Sequence, residues 1–128
     1  MLKELNLREF NFSADLHCVV FDGLRMVVDV VSGAVHVVDR PTWDLLAALE
    51  RHGGDLENAL AGLREEYSDS LLDEVVEEVR LLAREGTLFT RDPWRGRVQP
   101  AAGESPGSSS RPVVKSMCLH LAHDCNLR

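Results

Sequence analysis

The sequence lacks most features that would place a chain in a membrane, on nucleic acid or in a disulfide-stapled scaffold. No apolar run approaches the roughly 20 residues that a membrane helix needs. No charged, apolar, small-residue leader opens the chain, and a cytoplasmic location is the expectation. Cysteines number three, Cys18, Cys118 and Cys125, an odd and widely spaced set that builds no disulfide framework and suits a reducing compartment. Cations are also scarce: 14 Lys and Arg stand against 21 Asp and Glu, for a formal charge of -7. The deficit is concentrated in residues 1–91, where 18 acidic residues face 9 basic ones. Such a surface repels phosphate backbones, so DNA is not an expected partner, and without a spanning apolar run neither is a membrane. There is no internal repeat, and 128 residues at 45% hydrophobic content suffice for one modest core.

The residues that are present change period along the chain. Asp22-Gly23 follows "HCVVF", and Ser32-Gly33 follows "MVVDVV". Each pair is a turn signal between runs of β-branched residues, which predicts a three-stranded meander over 17–21, 26–31 and 34–38. Met26, Val28 and Val30 fall on one face of the middle strand and Asp29 on the other, so the sheet is expected to be covered on one side only. The third strand lies at an edge, with outer N–H and C=O groups unpaired.

Helical spacing takes over at Asp39, an N-cap with Pro41 in the first turn, and runs through "TWDLLAALERH" to Gly53. Asp55 caps a second helix through "LENALAGLREEY", and a third is expected to start near Ser70, in a capping box with Asp73, and to end at Gly86. "TLFTRD" has the composition of a short strand. The expected class is α+β, winged helix–turn–helix-like: a three-stranded antiparallel meander, three helices, a linker and then the first strand of a barrel that is missing. The domain spans 1–91, the Pro/Gly/Ser-rich linker 92–112, and the truncated barrel start 113–128.

The third helix carries Leu71, Leu72, Val75, Val76, Val79, Leu82 and Ala83 on an arc of about 140°, wider than the ~100° stripe that packing on one core needs. The surplus either packs on the other helices or lines a groove. Its opposite side holds Asp69, Asp73, Glu74, Glu77, Glu78 and Glu85 beside Arg80 and Arg84, a charge that excludes the major groove of DNA. A free strand edge beside an apolar helical flank is a geometry that captures an extended peptide. The candidate peptide-binding residues are Val35, His36, Val37 and Val38 on the strand and Leu72, Val75, Val76 and Val79 on the helix.

"CLHLAHDCNLR" closes the chain. Cys118, His120, His123 and Cys125 do not have the paired spacing of a zinc site, and an extended strand divides them between two faces. They are either ordinary strand residues, or Cys125 opens a longer C-x-x-x-C-x-x-C motif as the first ligand of an incomplete 4Fe–4S site.

Together, "FDGLRMVVDVVSGAVHVVD", the winged-helix pattern, the linker and "LHLAHDCNL" closely resemble the N-terminal part of the thioether-forming maturases of SCIFF peptides, which are radical S-adenosylmethionine (SAM) enzymes. The resemblance implies a RiPP recognition element, akin to the peptide chaperone of pyrroloquinoline quinone biosynthesis. Such an element holds the leader of a ribosomally made, cysteine-rich precursor between third strand and third helix while a barrel forms the thioether. A 4Fe–4S cluster and SAM are implied for the full-length enzyme and none for these residues alone, which are expected to bind leader peptide without being an enzyme. The competing expectation is a winged-helix protein-interaction or regulatory domain with no enzymatic role.

Overall fold

The computed structural model describes Leu5 and residues 7–97. The chain separates into two compact units, Met1–Pro93 and Trp94–Arg128, and every element below belongs to the first. The order is α1 (Phe12–Asp15), β1 (Leu16–Phe21), β2 (Leu24–Asp29), β3 (Val35–Val38), α2 (Arg40–Arg51), α3 (Leu56–Leu63) and α4 (Asp69–Arg84). A three-stranded antiparallel sheet followed by helices is compatible with a winged-helix-like arrangement, and the strand order is β1-β2-β3.

Asp22 and Gly23 both take positive φ, 49° and 77°, the two-residue geometry that matches the right-handed twist of a hairpin. Register then follows, with Phe21 opposite Leu24 and Val19 opposite Met26. Met26 in turn faces Val37, and Val27 faces His36. The middle strand spans Leu24–Asp29, so it starts and stops two residues earlier than the expected 26–31.

The covered face is that of Val27 and Asp29, both fully buried, whereas Val30 is 53% exposed. The helices therefore pack on the opposite side of β2 from the one that Met26, Val28 and Val30 occupy. Asp29 is accommodated there because its Oδ1 accepts the Ser32 N–H at 2.8 Å and the Ser32 hydroxyl at 2.9 Å. Its Oδ2 accepts the Thr90 N–H at 2.9 Å. Burying a carboxylate is tolerable only when its lone pairs find donors in this way.

Both expected aspartate caps form: Asp39 accepts the Thr42 N–H at 3.0 Å and Asp55 the Asn58 N–H at 3.2 Å. The longest helix starts earlier than expected, with Ser68 rather than Ser70 as the cap, accepting the Leu71 N–H at 3.3 Å. Position 70 is already inside the helix, so the Ser70–Asp73 capping box does not form. α3 ends at Leu63, and 64–66 form a turn in place of further helix.

"TLFTRD" is not a strand. Gly86 takes φ 72° just after α4, and Phe89 has φ 54°. That reversal interrupts extended backbone and turns the Phe89 ring edge-on to Phe10 and Phe12, with centroids 5.3 and 6.0 Å apart. Val27, Leu45, Leu49 and Val79 lie at the centre of one core shared by β2, α2 and α4. No helix among the described residues is long and apolar enough to cross a membrane.

Candidate peptide-binding edge

β3 pairs with β2 and has no second strand neighbour among the described residues. Its side chains alternate as strand geometry requires: Val35 and Val37 point outward at 59% and 63% exposure, while His36 and Val38 are half-buried on the helical side. Val38 packs against the core. The His36 Nε2–H donates to the Thr87 carbonyl at 2.7 Å, which moors the middle of β3 to the segment leaving α4. The strand is thus held by its neighbours on one side, while its other backbone edge has no strand partner among the described residues.

The helical residues of the expected site lie elsewhere. Leu72, Val75, Val76 and Val79 are 1–6% exposed and belong to the core. Leu71, Leu82 and Ala83, the flanks of the apolar arc, also pack against that core while staying partly exposed. The broad arc is therefore spent mainly on packing α4 inward, and only its flanks are within reach of a surface ligand. The acidic side is as expected: Asp69, Asp73, Glu74, Glu77, Glu78 and Glu85 are all exposed. Arg80 departs from that side. Its side chain is 16% exposed, and its Nη1 donates to Glu77 Oε1 at 2.7 Å.

At the opposite edge of the sheet, Cys18 on β1 lines a small cleft with Trp43, Leu46 and Glu50 of α2. Partial burial, followed by the Glu50 carboxylate, pushes the Cys18 thiol up, so it stays protonated and is a weak nucleophile. Among the described residues no cluster of three or more His, Cys, Asp or Glu could hold a metal ion. Cys125, with Cys118, His120 and His123, lies outside the described residues.

Thr87 and Thr90, which tie the β2–β3 hairpin to the end of α4, were not among the residues singled out from sequence, and Asp29 was read only as the residue on the other face of the middle strand. The available signal was an acidic residue inside an apolar run three positions before Ser32 of a Ser-Gly turn, a spacing that suits a carboxylate accepting from that turn. No protein-family model matches this chain, and no curated protein gives a significant match.

Proposed function

We propose that this domain is a peptide-recognition module that captures an extended segment as a fourth strand along β3. The observation that carries this reading is the open edge of β3, held in place by His36 and Val38 from its inner side. A strand-adding ligand gains affinity from main-chain hydrogen bonds and selectivity from alternate side-chain positions. Here one set of ligand side chains continues the row of Val35 and Val37, and the other set turns inward towards α4 and Thr87. The exposed acidic side of α4 favours a ligand with basic residues.

The ligand class that fits the sequence resemblance is the leader of a ribosomally made, cysteine-rich precursor. The module then serves thioether cross-linking by a radical SAM domain, in which Cys125 supplies the first ligand of a 4Fe–4S cluster. Peptide capture is the role of residues 1–91, and the bond-forming chemistry belongs to the radical SAM domain.

Calorimetry tests this with synthetic leader segments of short cysteine-rich peptides encoded beside the gene. Micromolar binding is expected for the cognate leader, with loss of at least tenfold in Val37→Pro, which removes one backbone donor from the edge. Circular dichroism matching the parent shows that the variant is folded. Failure of every such leader to bind retires the leader-recognition reading.

A further inference from the structure

The outer face of the meander is the other unexplained surface. Antiparallel register aligns its side chains in rows: Val19, Met26 and Val37 form one, and His17, Val28 and Val35 another. Phe21 and Leu24 complete the face beside the Asp22-Gly23 turn. Phe21 is 68% exposed, Leu24 51% and Val37 63%. No carboxylate, ammonium or guanidinium stands in these rows, although the chain carries a formal charge of -7. A contiguous apolar sheet face of this kind is uncommon on a surface that stays wet.

We infer that this face docks on the same face of a second copy, with the strands of the two copies antiparallel. Two observations select that occupant. First, it is the part of the sheet where two like-charged acidic chains meet without placing carboxylates against each other, and sheets bury a second apolar face by packing on another sheet about 10 Å away. Second, the two ends of the face differ: one carries a carboxylate and the other an imidazole, which can donate a hydrogen bond to a carboxylate. Exposed His17 stands at one end of β1, and exposed Asp22 at the other, in the β1–β2 turn. A two-fold axis perpendicular to the strands sets His17 of each copy over the Asp22 end of the other. An axis parallel to the strands would set Asp22 against Asp22, so charge complementarity selects the antiparallel arrangement.

Area sets the strength. A patch three strands wide and about five residues long spans about 14 by 17 Å. Two such faces amount to about 500 Å² in plan, and with side-chain relief they stay below the roughly 1,200 Å² at which standard interfaces begin. The dimer is accordingly a weak, transient one. It leaves the outer backbone edge of β3 free, while Val35 and Val37 belong both to this face and to the row that a bound peptide would continue.

Sedimentation equilibrium of the full chain tests the inference from low micromolar to about 1 mM. The weight-average mass should rise from 14.3 kDa towards twice that value with concentration. Phe21→Lys alters an exposed side chain, so its circular dichroism should match the parent while its mass stays monomeric throughout. His17→Lys places a full charge over Asp22 of the second copy and should tighten the dimer several-fold. A parent that remains monomeric at 1 mM overturns the inference and leaves the face to a partner of different sequence. So does a Phe21→Lys chain that dimerises like the parent. Weakening by His17→Lys overturns the antiparallel arrangement and with it the charge argument.

Discussion

The Asp29 carboxylate accepts the backbone N–H of Thr90 at 2.9 Å, across 61 positions of sequence. Its other oxygen holds Ser32, so one fully buried side chain fixes both the β2–β3 turn and the exit from α4. Through the turn it sets where β3 begins. Through Thr90 it places Leu88 and Phe89 against the core.

Asp29→Ala would strip three donors of their acceptor, two of them backbone N–H groups. The expected loss is about 2–4 kcal/mol, read as a lower denaturant midpoint. Asp29→Asn keeps one good acceptor and places an amide donor against Ser32 or Thr90, so its loss should be smaller, at about 1–2 kcal/mol. Equal stability of Asp29→Ala and the parent would mean that the carboxylate contributes nothing to the hairpin.

Tyr67 is the single tyrosine of the chain, so its ionisation can be followed without interference from another phenol. Its hydroxyl donates to Asp44 Oδ2 at 2.6 Å, and this hydrogen bond, ahead of desolvation and the Asp44 charge, pushes the phenol above its ordinary value of 10. A raised folded value means that the contribution is fully present below the unfolded value and lost as pH rises through the folded one. Tyrosinate absorbance should therefore titrate above 10 in the native protein. Asp44→Asn should move the midpoint back towards 10, and no movement would show that Asp44 is not the cause.

Much of the frame was legible because it rests on local chemistry. Asp22-Gly23 encodes its own positive-φ turn, and Asp39 and Asp55 each cap the helix that immediately follows. What was not legible depended on distant partners. On β2 the pattern points the wrong way: Leu24, Met26 and Val28 make one face wholly apolar, yet the helices cover the face that carries Arg25, Val27 and Asp29. The answer lies in Asp29 meeting Ser32 and Thr90, the latter remote in sequence. Ser68 and Ser70 are both capable caps two residues apart, and the packing of α4 selects the first. "TLFTRD" has strand composition, but Phe89 is drawn into positive φ by the ring cluster with Phe10 and Phe12. α1 is one turn long, too short to leave a periodic signal. The edge of β3 was readable from strand order, whereas the helical half of the candidate site was not, because a wheel cannot separate a groove from a core.

Asp55 should leave a signature in acid. The Asn58 backbone N–H holds its carboxyl below the usual value of 3.8 against an opposing desolvation, with smaller help from the Asn58 side chain, Arg8 and the Glu57 N–H. A depressed folded value contributes stability that is present above the unfolded value and disappears as pH falls through the folded one. Thermal midpoints of the parent should therefore fall between about pH 5 and pH 2 more steeply than those of Asp55→Asn, which caps without titrating. Superimposable pH profiles would exclude Asp55 from the acid response.

The β3 edge makes the most direct prediction about function. In an antiparallel edge strand, successive residues direct their backbone groups alternately towards the neighbour and away from it. Amide exchange along Val35–Val38 should accordingly alternate between slow and fast in the free chain, while the amides of β2, paired on both sides, stay uniformly slow. If a leader segment adds as a fourth strand, the fast amides of β3 become slow on binding, and those of α4 change little. Binding that protects only α4 and leaves β3 alternating would place the ligand on the helix and exclude strand addition. Val76 is not a suitable probe of the same question, because at 6% exposure it lies in the core. Val76→Glu should cost more than about 3 kcal/mol through a buried unpaired charge and report on folding instead of binding. Val35→Thr and Val37→Thr are the informative pair: both positions are exposed, threonine keeps the strand, and each should weaken leader binding about twofold to fivefold by removing one apolar cross-strand neighbour.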